Sequence, residues 1–501
     1  MSRNKYVLAI DQGTTGNTVA LFNRQGEMVR KIYQEFKQYY PQPGWVEHDA
    51  WEIWLGVRHL LERMIAETAI PPEDLAAIGI TNQRETVVLW DRRTGRPVTR
   101  AIVWQCRRTA QMCTQLKKQG LEPVFREKTG LVLDPYFSGT KLKWIFEQNP
   151  HLRTRAIRGE LAFGTIDSWL IYNLTGQAAH VTDYTNASRT LLFNLQKLDW
   201  DDELLRILEI PRQVLPEVRP SNDVYGYTPA LGRIPAGIAV AGAAGDQQAA
   251  LFGQACFQPG AVKATFGTGA FILMNTGSEP VISKNGLLST VAWGLGDRVE
   301  YALEGSVFVA GAAVQWLRDE MGLIKEAAET EAIAQSVADT NGVCFVPSFV
   351  GLGAPHWDPY ARGMITGLTR GATKAHIIRA ALEAIVYQTR EVLDVMEADA
   401  QLPLRDLKVD GGASENEFIC QFLADVTESR VERPLIFETT ALGAAYLAGL
   451  TVGVWDSQAD IAKGRRVQSV YEPKMDENQR AALYQQWKRA VRSVKSWVSH
   501  A

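Results

Sequence analysis

The chain has 501 residues, room for two to four domains at about 100–200 residues each, and its 46% hydrophobic and 22% charged residues are an ordinary globular composition. Lys and Arg number 53 against 56 Asp and Glu, and the net charge of −3 offers no basic field for a nucleic-acid backbone. The most apolar stretch, residues 234–245, contains Pro235 and stops at Asp246, short of the roughly 18 apolar residues a membrane span requires.

Apolar runs at 6–10, 18–22 and 28–33, separated by turn residues at 11–17 and 23–26, predict three consecutive hairpin-linked strands. A helix follows from Asp49, a side chain able to cap it, with Trp51, Trp54, Leu55, Leu61, Met64 and Ile65 near helical spacing. Beyond Pro71 and Pro72 a strand is expected at 77–80, so the opening reads β-β-β-α-β, unlike a dinucleotide-binding start. A similar opening recurs after the glycine- and alanine-rich run that ends at Gly245: strands at 261–266, 271–275, 288–295 and 299–303, then a helix from about 307 to 321. The second half therefore reads as a diverged copy of the first. Two such α/β lobes, joined near 246–260, leave a cleft of the kind where small molecules bind. A further strand is expected at 407–409. The segment 482–500, with Trp487, Val491, Val494 and Trp497 along one helical face, suits packing on the second lobe or on a neighbouring chain.

Chemistry-bearing residues fall at the strand turns. Asp11, Gln12, Gly13, Thr14 and Thr15 form a turn in which Gly13 permits close approach of an anion and two hydroxyls can donate to it. Asp11 would repel phosphate directly, and suits the waters of a bridging Mg²⁺; the plain alternative is a Gly/Thr-rich hairpin turn. Gly267, Thr268 and Gly269 repeat the arrangement in the second lobe, while no P-loop or G-x-G-x-x-G follows any strand. Asp410, Gly411 and Gly412 open a strand-to-helix turn suited to a ribose or base, or to tight packing alone. Arg84 and Glu85 place a bidentate donor beside an acceptor, as a polyol site or a surface salt bridge would, and Trp104, Tyr136 and Phe271 lie where an apolar wall is needed. Asp246, at the end of a buried strand, reads as a general base toward a hydroxyl and also as a helix N-cap. Five cysteines without a C-x-x-C pair read as small buried hydrophobes, and seven histidines without a close ligand pair argue against a protein-held transition metal. The short apolar run at 6–10 is no signal-peptide core, and a cytoplasmic chain is expected.

With these residues in place, the chain from about 6 to about 471 resembles the glycerol kinases within the FGGY group of carbohydrate kinases. The likeness rests on the phosphate turn together with the segments 82–86, 102–108, 134–141, 181–190, 245–253, 351–363 and 438–446. It implies two actin-like, ribonuclease-H-like lobes with mixed β-sheets flanked by helices and an active site in the interdomain cleft. Residues 1–253 would form the polyol- and phosphate-binding lobe and 254–501 the nucleotide-binding lobe. It further implies MgATP-dependent phosphorylation of glycerol to sn-glycerol 3-phosphate by a homodimer or homotetramer, with Asp246 as base. By position, Arg84, Glu85, Tyr136, Asp246 and Gln247 match polyol ligands, walled by Trp104 and Phe271. Asp11, Gly13, Thr14, Thr15 and Thr268 match phosphate and Mg²⁺ positions, with Asp11 and Asp246 toward the metal. Gly311, Gln315, Gly412, Ala413 and Asn416 match positions for ATP or ADP. Two departures stand out. Gly16, Asn17 and Thr18 replace the Ser-Ser-Arg of many members, removing a cation beside the transferred phosphate, and residues 227–233 replace a longer loop that binds a sugar bisphosphate inhibitor in some. Competing readings are another polyol or sugar kinase such as a pentulokinase, an actin-like ATPase driving a protein partner, and a silent sensor.

Overall fold

The structure, a computed structural model, describes residues 6–358 and 360–495. In the first lobe, strands β1 (Tyr6–Gln12), β2 (Gly16–Asn23), β3 (Met28–Glu35), β4 (Leu75–Asn82), β5 (Val224–Tyr227) and β6 (Ala239–Gly245) form one sheet in the order β5-β6-β4-β1-β2-β3. The three opening strands are antiparallel, as their turns require, and β4 and β6 then lie parallel to β1. The crossover to β4 runs through helix α1 (Ala50–Thr68), whose first turn is capped as expected: the Asp49 side chain accepts from the N–H groups of Trp51 and Glu52. Leu55 departs from the expected apolar face and is 46% exposed, whereas Trp54, Leu61 and Met64 are buried. Helices α2 (Ser138–Gln148) and α3 (Ile166–Leu174) are among the further helices of this lobe, and α4 (Asp246–Gly253) leads out of β6.

The second sheet joins β7 (Val262–Phe266), β8 (Ala270–Gly277), β9 (Leu288–Leu295), β10 (Arg298–Val307), β11 (Leu407–Asp410), β12 (Val431–Pro434) and β13 (Val467–Tyr471) in the order β9-β10-β8-β7-β11-β12-β13. From β10 to β13 the directions repeat the first sheet strand for strand: antiparallel, antiparallel, parallel, parallel, antiparallel. This is the twofold actin-like architecture. The copy carries one extra strand. β8 pairs with β10 rather than with the next strand in sequence, and β9 lies outside, where Leu288 and Val291 pack into a core of the first lobe. Val307 still belongs to β10, paired with Ala270, so the helix expected from about 307 starts later as α5 (Gly311–Asp319). Helices α6 (Lys374–Ala400), α7 (Glu417–Thr427), α8 (Thr439–Val452) and α9 (Glu477–Lys495) follow.

The inner strands of the first sheet are buried on both faces. Leu8, Ile10, Val19 and Leu21 meet α1 and α3, while Val7, Ala9, Ala20 and Phe22 form a second core with α4 and α8. Thus a helix from late in the chain closes a sheet made early in it. The approach is close enough to exclude side chains: a Cβ on Gly79 would lie 2.2 Å from the Ala444 carbonyl oxygen, and one on Gly443 only 1.8 Å from that of Ala249. Of the two places proposed for the C-terminal helix, the structure selects one. Trp487, Val491 and Val494 of α9 are buried in the second-lobe core, and Trp497 lies outside the described residues. All five cysteines are buried thiols, as expected. Among the described residues no helix is long and apolar enough to cross a membrane.

Candidate active site

Register gathers the site. Gln12 is level with Asn82, and Asn82 with Gly245, so the residues just past β1, β4 and β6 leave the sheet along one edge: Gly13 to Thr15, Gln83 to Glu85, and Asp246. In the second sheet Thr265 is level with Asp410, which brings the turn at 267–269 beside that at 411–413. Both sets emerge at carboxyl ends of parallel strands, where α/β sheets bind ligands.

The turn after β1 is pinned from several sides. The Gly13 N–H donates to the Gly16 carbonyl at 2.9 Å, Gln38 Nε2 donates to the Thr14 carbonyl at 3.0 Å, and Trp104 Nε1 donates to Thr14 Oγ1 at 3.0 Å. The hydroxyl of Thr14 keeps its own proton for an acceptor in the cleft, and Thr15 is exposed. Positions 16–18 send no charge there. A Cβ on Gly16 would strike the Tyr33 ring at 2.4 Å, Asn17 Nδ2 turns away to the Ile53 carbonyl at 3.4 Å, and Thr18 lies opposite Asp11. Burial, then the negative charges of Asp246 and Glu438, push the Asp11 carboxyl up to about 7, against a smaller opposing pull from Lys31. Among the described residues no donor bonds to it. An acceptor-only carboxylate left so short of positive charge fits a hard divalent cation that keeps most of its ligands as water and phosphate.

Around Arg84 the site is a buried charge network. Its Nη2 donates to Glu304 Oε1 at 3.1 Å and its Nη1 to Glu304 Oε2 and Gln248 Oε1, while Nε lies 3.1 Å from Asp246 Oδ1 and 4.0 Å from Glu85 Oε1. Arg189 joins the far side, with Nε on Glu85 Oε1 at 2.7 Å and Nη2 on Glu304 Oε1 at 2.9 Å. Burial alone would raise the Glu304 carboxyl, but Arg189 and Arg84 hold it down at about 2; for Glu85 burial wins and its carboxyl is raised. The surface salt bridge considered for Arg84 and Glu85 is thereby excluded. Asp246 is the member that meets solvent, its side chain 32% exposed against 1% for Arg84. It occupies the first turn of α4 and does not cap it: Gly245 holds the cap position, and Asp246 Oδ1 accepts only from the next N–H, that of Gln247, at 2.7 Å. Gly245 is required because a Cβ there would lie 2.6 Å from the Arg84 stem. Its N–H is fixed on Thr185 Oγ1 at 2.9 Å, and Thr185 in turn on Asp183.

Glu85 adopts φ +61°, a left-handed conformation costly for a residue with a side chain. Two donors clamp its carbonyl: Ser138 Oγ at 3.0 Å and Lys141 Nζ at 3.1 Å, the latter also reaching the Tyr136 carbonyl. Trp104 and Tyr136 meet edge to face at 5.6 Å, forming part of the expected wall. Phe271, half-buried on β8, makes no ring contact with either among the described residues. Gln247 is brought to the second lobe by Lys263, whose Nζ donates to its Oε1 and, at 2.9 Å, to Thr265 Oγ1. Burial pulls that amine down to about 8.

In the second lobe, Thr268 is exposed on a turn whose carbonyls receive the first N–H groups of α5, with Gly311 on Gly267 at 3.0 Å and Ala312 on Thr268 at 3.0 Å. Gly311 has no room for a Cβ, which would meet the Gly267 oxygen at 2.6 Å; Gln315 is exposed one turn on. Gly412 borders open space and Ala413 packs on the core. The Asn416 side chain is occupied, its oxygen capping α7 through the Ile419 N–H at 3.1 Å and its amide on Thr330 at 3.2 Å. Glu304 and Lys263 lie outside every motif read from the sequence, and Arg189 and Lys141 lie inside segments 181–190 and 134–141 without a site role assigned to them. For Glu304 and Lys263 the one signal is a lone charge inside an otherwise apolar or small-residue segment.

The chain matches the N-terminal domain of the FGGY family of carbohydrate kinases over residues 6–253 and the C-terminal domain over 262–452, and it belongs to that family. Among curated relatives it is 57% identical to glycerol kinase 2 of Thermotoga maritima, covering 98% of this chain and 99% of that one. It is 58% identical to the glycerol kinase of Geobacillus kaustophilus over 99% of this chain and 100% of the relative. Its structure is similar to that of Plasmodium falciparum glycerol kinase with ADP, at a TM-score of 0.93 and 37% identity, covering 99% of both chains.

Proposed function

We propose that the chain is a glycerol kinase that moves the terminal phosphate of MgATP to a terminal hydroxyl of glycerol, yielding sn-glycerol 3-phosphate and ADP. One observation carries the chemistry: Asp246 is the solvent-facing carboxylate of an otherwise buried polar network, 3.1 Å from the Arg84 guanidinium. Arg84 and the Gln247 amide supply donors, Glu85 and Asp246 acceptors, and Trp104 with Tyr136 an apolar face, the pattern a short polyol needs. Asp246 takes the hydroxyl proton as the oxygen attacks the γ-phosphorus and the bond from that phosphorus to the β–γ bridging oxygen breaks. Thr14, Thr15 and Thr268 donate to phosphate oxygens, and the turns at 267–269 and 411–413 flank the nucleotide. Asp11 and Asp246 would hold Mg²⁺, which neutralises phosphate charge when bound. This reading includes assembly as a dimer or tetramer of identical chains, which light scattering measures directly.

The test is ADP release from MgATP with glycerol, dihydroxyacetone, ribulose, xylulose or no acceptor. Glycerol-dependent turnover is expected. Release driven only by a pentulose would move the substrate, and release indifferent to every acceptor would overturn the kinase reading.

A further inference from the structure

The geometry points to Glu304 as a positioning residue for the polyol, reaching from the second lobe to set the orientation of both arginines in the first. This inference rests on the polyol-kinase reading and concerns how its site is assembled. Glu304 lies on β10, is 0% exposed, and divides its carboxylate between two guanidinium groups: Oε1 takes Nη2 of Arg84 and Nη2 of Arg189, and Oε2 takes Nη1 of Arg84. With the Arg84 fork consumed in this way, only its Nε edge is left to face Asp246 and Glu85.

Two donors are left over. Arg84 Nε and Arg189 Nη1 are buried without a hydrogen-bond partner, although Arg84 Nε lies within 3.1 Å of Asp246 Oδ1. A buried N–H left unmade is expensive, and the unpartnered one on Arg84 lies beside the base, the arrangement of a site awaiting a hydroxyl oxygen. A purely stabilising role is the weaker account. Burying two guanidiniums and two carboxylates gains little over well-packed apolar residues, and its return is orientation. Without Glu304 the terminal fork of Arg84 keeps only the neutral Gln248 oxygen, on Nη1 at 3.1 Å, and the carboxylates of Asp246 and Glu85 hold the guanidinium by its Nε edge alone.

Steady-state kinetics of the full chain test the assignment. Glu304→Gln is expected to raise KM for glycerol about 10–100-fold while KM for MgATP stays within about twofold, because misplacement falls on the polyol alone. Glu304→Asp, which keeps the charge with a shorter reach, is expected to recover part of that loss. An unchanged glycerol KM in folded Glu304→Gln overturns the proposal, and so does an equal rise for both substrates. If neither variant folds, as judged by circular dichroism, Glu304 is a structural residue and the proposal fails. The parent chain runs alongside: its lack of glycerol-dependent turnover would defeat the functional reading itself, whereas an active parent with a normal variant defeats only the role of Glu304.

Discussion

At the scale of single residues the site separates groups that hold from groups that react. Asp246 is held through its backbone by the Gly245–Thr185–Asp183 relay, while its carboxylate stays half-exposed. Asp246→Asn keeps shape and removes the proposed proton acceptor, so kcat is expected to fall by about 10²–10⁴-fold with an unchanged melting temperature. Parental turnover in that variant would remove Asp246 from the mechanism. Glu304 has a signature in acid. Its carboxyl stands near 2, against 4.5 when unpaired, so folding binds fewer protons than the unfolded chain between these values. The part of the stability linked to that ionisation is present above pH 4.5 and lost as the pH falls toward 2. Denaturant titrations of parent and Glu304→Gln should therefore converge as the pH drops through that window; curves that stay parallel would contradict the assignment.

At the scale of elements, small residues decide what fits. Gly443 on α8 rests on the Ala249 carbonyl with no room for a methyl group, so Gly443→Ala is expected to destabilise by about 3 kcal/mol, read from chemical denaturation. The same scale shows what was legible in the sequence. β1 to β4 and the Asp49 cap were readable because alternation, turn residues and capping are local properties. The pairing of β8 with β10 was not, since the place of β9 depends on a first-lobe core far away in sequence. The start of α5 was misread because residues 307–310 are as apolar as a helix turn, and only the Ala270 pairing keeps Val307 in a strand. The candidate site divides along the same line. Asp11, Thr14, Arg84, Glu85 and Asp246 sit at or beside turns with Gly and Thr signals, but Glu304 acquires meaning only through Arg84 and Arg189, 220 and 115 residues away.

At the scale of the whole molecule the two lobes are not independent. The second core of the first sheet is completed by α8, and further pairs cross at the rim: Lys31 with Glu438, and Arg466 with Glu27 at 2.6 Å. Calorimetry is accordingly expected to show one unfolding transition, and a fragment of residues 1–253 to be insoluble or molten, with the apolar face formed by Val7, Ala9, Ala20 and Phe22 bare. Two resolved transitions, or a well-folded fragment, would contradict this.

The crossing of α8 also sets a timetable for birth on the ribosome. Residues 254–452 take about 10–40 s to synthesise at roughly 5–20 residues per second. For that interval the completed strands of the first sheet wait with one face uncovered, in the state that chaperones recognise. Nascent chains halted near residue 300 should be cut by protease within the first lobe, and those halted beyond the emergence of α8 should resist.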